Sequence, residues 1–270
     1  EGYSFISYIP AYFSAKKQKA KAVATYHEVW LGSWIKNKGL FTGLFGTIWE
    51  KIVLKLNWDF FIAVSKFTAK ELLKNNIDKC KIKVVPNGIN SSDYKFSKSK
   101  FKSTTICTIS RLTTHKRIND LIKAIYLVKR EIPNIKLIII GKGPEMNNLQ
   151  NLSKKLNLEN SIEFKGYIKE HSEVIKNLKK SHLFCSASVL EGFGIVLLEA
   201  MASKVPYVCS DISVFKEVTN LGRGGLIFKK KDHTDLAKKI TLILKDRKLY
   251  LKKIKEAEKQ IEKYNWKKIS

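Results

Sequence analysis

Acidic residues are few in this chain, and arginines are fewer still. Against 51 Lys and Arg stand 24 Asp and Glu, a formal net charge of +27. Arginine supplies only positions 111, 117, 130, 223 and 247. Such an excess invites a nucleic-acid reading. The lysines, however, are spread along the whole chain with no single basic arm, and no nucleic-acid motif accompanies them. The expectation is therefore no nucleic acid. The rival reading, a charge-driven nucleic-acid-binding protein, requires basic residues on one continuous face with exposed aromatics. The charge does favour anionic ligands and acidic membrane surfaces. The four cysteines, Cys80, Cys107, Cys185 and Cys209, lack metal-ligand spacing, and no Asp-x-Asp pair occurs. Three of them sit in apolar strand-like runs, which reads as reduced, buried thiols in a cytoplasmic protein. No run of about 18 apolar residues is present, which excludes a spanning helix. No basic-then-apolar segment opens the sequence, so no secretory signal is expected. The chain begins on Glu1 rather than Met, and a fragment or trimmed product is expected.

What is present is organised around Ser188–Ser203, a Gly-rich turn leading into a short helix that is apolar on every side. Such a helix is buried, yet it carries a carboxylate, Glu199. A buried carboxylate is costly unless something hydrogen-bonds to it. A second acid, Glu191, precedes the turn. Gly192 and Gly194 flank Phe193, so the backbone can bend sharply and approach a ligand closely. The helix start at Ile195 presents free N–H groups and a positive dipole end, which suits a phosphate. Two acids and an anion-friendly helix start suggest a site for a sugar carrying phosphate. The stretch EGFGIVLLEAMA resembles the E-x7-E signature of the retaining, GT-B-type "group 1" glycosyltransferases, which use nucleotide-sugars (family 4-like).

Other segments extend the resemblance. TYHEVW, with His27 at the carboxyl end of an expected strand Ala22–Tyr26, resembles the family's Thr-x-His segment, whose histidine faces the sugar-transfer centre. Ser65 and Val85–Ile89 match further segments. Ser110–Arg117 resembles the Gly-Arg…Lys-Gly loop, whose Arg and Lys hold the donor's diphosphate; here these are Arg111 and Lys116. Ser110 and Arg117 replace the two usual glycines. Gly141-Lys-Gly-Pro144 resembles a Gly-x-Gly-Pro turn. Gly166-Tyr167-Ile168 matches the segment that receives the nucleobase through backbone groups, and Glu217 is a family-type position of structural character. The family's usual opening strand and Gly-rich loop have no counterpart here.

Strands separated by helical stretches argue for parallel sheets with helices on both faces. The expected fold is α/β, GT-B, with two Rossmann-like domains of which the first is incomplete. Residues 1–100 form the partial acceptor-side domain, with a polar Ser- and Lys-rich linker at 90–103. Residues 104–270 form the nucleotide-sugar domain. Residues 39–57, aromatic and apolar with basic punctuation, read as a core helix packed on the sheet, the alternative being a surface helix dipping into a membrane interface. The resemblance implies transfer of a hexosyl group, with retention, from a UDP-, GDP- or ADP-sugar to a glycan or lipid-linked acceptor, with the site in the cleft between the domains. Glu191 would place the sugar and His27 would sit near it. Arg111, Lys116 and the amides of Gly192–Ile195 would hold the diphosphate. Glu199 would take the ribose hydroxyls, and Tyr167 and Ile168 the base. No cofactor and no metal are expected. The expected location is cytoplasmic, peripheral on the membrane face. A second rival is a GT-B-like sugar-nucleotide enzyme of another reaction type.

Overall fold

The computed structural model describes residues 5–90, 94 and 99–269. Half of the expected linker (91–93 and 95–98) lies outside the described residues. The described chain divides into two compact units. One is Glu1–Asn87 together with Glu191–Phe193, and the other is Gly88–Leu190 with Gly194–Ser270.

The first unit is a three-stranded parallel sheet, β1 (Val23–Tyr26), β2 (Phe60–Ala63) and β3 (Ile82–Val84), in the order β1-β2-β3. Helices α1 (Tyr8–Lys17), α2 (Trp34–Lys38), α3 (Leu40–Lys55) and α4 (Lys66–Lys74) surround it. Its core is aromatic. Tyr8 stacks on Tyr26 at 5.0 Å, and Trp58 meets Tyr8, Tyr12 and Phe61 edge-on. Ser65 starts α4 by accepting a hydrogen bond from the Thr68 amide at 2.9 Å, an N-cap that satisfies one orphan donor.

Helix α3 departs from the expectation of a core helix. Gly43, Gly46, Glu50, Val53 and Leu54 are buried, and Val53 and Leu54 join the core. The opposite face is open: Leu40, Phe41, Leu44, Phe45, Ile48 and Ile52 are all exposed, Phe41 to 88%. The two glycines explain the inner face. A Cβ on Gly46 would stand 2.5 Å from the Trp34 ring, and one on Gly43 would overlap the Ile35 backbone. Their absence of side chain lets α2 lie against α3. One turn further on, Glu50 is fully buried. Burial pushes its carboxyl up from about 4.5 to about 7, against the pull of N–H groups from Trp30, Trp34 and Leu31. The folded value lies above the unfolded one, so this group favours folding fully below the unfolded value and loses that contribution as pH rises through the folded value. The stability of the chain should therefore carry a component that falls between about pH 4.5 and 7 and is missing in Glu50→Gln. Denaturant unfolding at several pH values measures it, and parallel profiles for the two proteins would refute the assignment.

The second unit is a doubly wound sheet of six parallel strands. They are β4 (Thr105–Ile109), β5 (Lys136–Ile140), β6 (Ile162–Gly166), β7 (Leu183–Ser186), β8 (Tyr207–Ser210) and β9 (Gly225–Phe228), in the order β6-β5-β4-β7-β8-β9. Strand β5 reads Lys-Leu-Ile-Ile-Ile with its last four residues buried, as a strand covered on both faces requires. Between the strands run α5 (Ile118–Glu131), α6 (Met146–Lys155), α7 (His171–Lys180), α8 (Ile195–Ala202) and α9 (Ser213–Val218). Helices α10 (His233–Lys245), α11 (Arg247–Ile261) and α12 (Trp266–Ile269) follow β9. Helix α5 buries Ile118, Leu121, Ile122, Ile125 and Val128, the i, i+3, i+4, i+7 stripe of a helix packed on a sheet. Strand order reverses between β4 and β7, and ligands of open α/β sheets bind beyond the carboxyl ends at such a point.

Candidate active site

In the second unit a cavity of about 640 Å³ opens at that point. Its wall takes Arg111 from the loop after β4, Lys142 from the turn after β5, Tyr167 and Ile168 from the segment after β6, and Ile195 and Glu199 from α8. Each comes from the carboxyl end of a strand or the helix that follows one.

Two glycines bring the loops together. A Cβ on Gly141 would overlap the Ser110 carbonyl oxygen, and one on Gly143 the Leu112 carbonyl oxygen. The Gly141–Gly143 turn therefore lies directly on the backbone of 110–112. The Ser110 amide donates to Ile140 O and the Leu112 amide to Lys142 O, both at 3.0 Å. This sets exposed Arg111 beside Lys142. Lys142 Nζ stands 4.9 Å over the ring of Tyr167, a cation–π contact at an aromatic ring that is itself 64% exposed. Lys116 sits on the 3₁₀ turn Thr114–Lys116, half-buried and outside the cavity wall. Arg117 adopts the left-handed conformation (φ 54°) that the family's glycine would take without strain. It is held by two 2.8 Å bonds to buried Asp120.

Helix α8 starts at Gly194, whose φ of +87° and closeness to the Phe215 ring favour glycine. Around its axis Leu197, Leu198, Ala200 and Met201 are fully buried. Glu199, 6% exposed, faces the cavity. Burial raises its carboxyl above the usual range, while His171 and the Tyr94 hydroxyl pull it down. Its Oε1 accepts from Tyr94 Oη at 3.3 Å and lies 3.2 Å from His171 Nε2. The cavity thus has one acceptor carboxylate, a cationic rim of Arg111, Lys142 and Lys169, and a helix N-terminus. That is the chemistry of a ligand with hydroxyls at one end and phosphate at the other. Tyr94, Lys142 and His171 did not stand out in the sequence. Lys142 lies inside the Gly-x-Gly-Pro turn, and its position between the glycines was the available signal.

His27, Glu191, Gly192 and Phe193 belong to the first unit. His27 follows β1 and is exposed, and Phe193 is buried. The Gly192 backbone rests on His27, since a Cβ there would overlap the His27 carbonyl oxygen. Ser65 Oγ donates to Gly192 O at 3.0 Å, so the cap of α4 also holds this turn. Among the described residues, no group of three or more His, Cys, Asp or Glu is placed to hold a metal ion.

Family comparison agrees with this fold. The model described as "Glycosyl transferases group 1" matches residues 91–260, and "Glycosyltransferase Family 4" matches residues 3–93. The chain belongs to the group 1 glycosyltransferases. Over 186 residues it is 31% identical to the UDP-N-acetylglucosamine--peptide N-acetylglucosaminyltransferase GtfA subunit of Streptococcus parasanguinis, covering 68% of this chain and 36% of that one. It is 33% identical over 142 residues to N-acetyl-alpha-D-glucosaminyl L-malate synthase of Bacillus anthracis, covering 53% of this chain and 36% of the relative. The chain spans well under two thirds of these relatives' length. Its fold matches Anabaena HepE in complex with UDP and glucose with a TM-score of 0.86 at 19% identity, covering 99% of this chain and 74% of that chain. It matches an S. aureus TarM variant in complex with UDP and alpha-GlcNAc-glycerol with a TM-score of 0.81 at 24% identity, covering 98% and 52%. The fold is GT-B.

Proposed function

We propose that this chain takes part in retaining transfer of a hexosyl group from a nucleoside-diphosphate sugar to a glycan or lipid-linked acceptor. The observation that carries the reading is the cavity at the β4/β7 switch point, with Arg111 on its rim and Glu199 in its wall. In this reading Glu199 accepts the ribose hydroxyls, and the backbone at Tyr167 and Ile168 receives the base. Arg111, Lys116 and the amides of Gly192–Ile195 stabilise the departing diphosphate by preorganised electrostatics. That role is assigned to no metal ion. Glu191 and His27 orient the sugar. The bond from the anomeric carbon to the diphosphate breaks as the bond to the acceptor oxygen forms, and the acceptor's hydroxyl proton passes to the departing diphosphate.

UDP-sugars head the test panel, because UDP appears in the names of the S. parasanguinis relative and of both solved structures; GDP- and ADP-sugars complete it. A nucleotide at about 100 times its dissociation constant should add about 2.7 kcal/mol to stability. The shift should be seen with one base and be lost in Glu199→Ala. A shift undiminished in that variant would remove the ribose role, and no shift with any nucleotide would remove the donor site.

The acceptor side of the reading includes an anionic membrane surface on the cytoplasmic face. No helix among the described residues is long and apolar enough to cross a bilayer. Helix α3 instead presents six large apolar side chains outward, with Lys51 and Lys55 on the same helix and Lys36 and Lys38 on α2. This is the composition of an interfacial helix. The chain should cosediment with vesicles containing phosphatidylglycerol and not with purely phosphatidylcholine vesicles, and Phe41→Asp with Phe45→Asp should abolish it. Equal binding of the double variant would sink the surface role of α3.

A further inference from the structure

Neither the sheets nor the cavity gives a role to Glu50. A carboxylate with no exposed surface on an otherwise apolar helix is costly unless its environment compensates. No Lys, Arg or His ion pair to Glu50 is found among the described residues. Its partners are instead N–H groups, and all come from one short segment. The Trp30 amide donates to Oε1 at 3.0 Å, and Trp34 Nε1 donates to Oε2 at 2.6 Å. The Leu31 amide also draws the carboxyl down. Residues 30–34 precede and open α2 and belong to no strand, so few ladder bonds fix them. The Ser33 and Trp34 amides bond Trp30 O at 2.7 and 3.1 Å, which closes a turn without anchoring it. Glu50 is the anchor.

The contacts continue from there toward the residues assigned to the sugar. Trp30 Nε1 donates to Glu28 Oε2 at 2.5 Å. Glu28 follows His27 directly, and the Gly192 backbone lies against the His27 carbonyl and close to Glu28 Cγ. A short path therefore leads from Glu50 through Trp30 and Glu28 to His27 and the turn at Gly192. Gly46 contributes to the same device, because the Trp34 indole that reaches Glu50 lies flat against the helix where Gly46 has no side chain.

We infer that Glu50 is a positioning residue, which fixes the segment after β1 to helix α3 and thereby sets the place of His27 and of the Glu191–Phe193 turn. The inference rests on the reading that His27 and Glu191 orient the transferred sugar. A side chain serving packing alone would be apolar at this fully buried position. A carboxylate that ties a backbone amide and an indole N–H from five consecutive residues, one on each oxygen, specifies one arrangement of that segment. Glu50 reaches the sugar only through others, so it is no catalytic residue.

The experiment compares Glu50→Gln and Glu50→Ala with the unsubstituted chain in three measurements. The first is UDP binding by thermal shift, which reads the second unit and should be unchanged. The second is the imidazole resonance of His27 by NMR, identified by its absence in His27→Gln. It should move in both variants, together with the indole N–H resonances of Trp30 and Trp34. The third is the rate at which UDP is released from UDP-glucose and UDP-N-acetylglucosamine with water taking the sugar in place of the acceptor. That rate should fall roughly tenfold in Glu50→Gln, which keeps one acceptor, and further in Glu50→Ala, with the donor KM little altered. If Glu50→Ala does not fold, Glu50→Gln carries the test. An unmoved His27 resonance in a folded variant overturns the inference, as does an unchanged rate. A wild-type chain that binds no nucleotide and turns over neither donor overturns the glycosyl-transfer reading instead. The His27 resonance then still decides whether Glu50 sets the segment.

Discussion

Arg111→Ala is expected to lower the rate of sugar transfer about 10²- to 10³-fold, the cost of removing one preorganised donor from a developing negative charge. The expectation follows from placement. Arg111 projects from the carboxyl end of β4, at the strand-order reversal, and the Gly141–Gly143 turn packs on its backbone. Being exposed on a loop, it contributes little to folding, and its removal should change stability by no more than about 0.5 kcal/mol. Lys142 and Lys169 remain in the cavity wall, so the attraction for an anionic donor persists. The loss should therefore fall on kcat more than on KM, as when an interaction belongs to the transition state. Arg111→Lys should recover only part of it, because an ammonium cannot make the paired, planar contacts of a guanidinium with a phosphate. Steady-state kinetics with the donor identified by thermal shift measures the split. A kcat within about threefold of the unsubstituted chain would remove Arg111 from the transition state.

Most of the fold was legible because the chain's periodicities are strong. The α5 stripe and the buried run of β5 identify themselves, and β5 was expected and found at Lys136–Ile140. Helix α2 was not foreseen: five residues, Trp-Ile-Lys-Asn-Lys, carry too little periodicity to reveal a helix. Helix α3 was foreseen as a helix but expected in the core, since an apolar segment normally signals burial. Its exposed face depends on which neighbours the fold provides, and sequence does not contain that. In the cavity, Glu199 stood out because a carboxylate inside an apolar helix demands an explanation. Its companions did not: Tyr94 lies 105 residues away in the chain, and nothing local to Tyr94 or His171 says that they meet the same oxygen. Glu50 was missed for the same reason, because its donors on Trp30 and Trp34 become visible only once α2 and α3 are packed.

Gly141→Ala should be the most damaging single methyl in the second unit, lowering the unfolding free energy by about 3–5 kcal/mol. Gly141 closes β5 with φ +138°, a conformation that only glycine adopts readily. The new Cβ would overlap the Ser110 carbonyl oxygen, a backbone atom that cannot swing aside like a flexible side chain. Ser110 is bonded through its own amide to Ile140 O at 3.0 Å, and the Gly141 amide donates to Gly166 O at 2.8 Å. Relief by moving either strand end therefore breaks a ladder bond. Against this, alanine restricts the unfolded chain and returns only about 0.4–1 kcal/mol, so the clash dominates. The same displacement pushes Ser110 and Arg111 away from the cavity, so nucleotide-induced stabilisation should shrink along with the intrinsic stability. Denaturant unfolding with and without UDP separates the two effects. A Gly141→Ala chain within about 0.5 kcal/mol of the parent, the range of an ordinary surface change, would show that the turn does not press on β4. The account of how Arg111 is held would then fail.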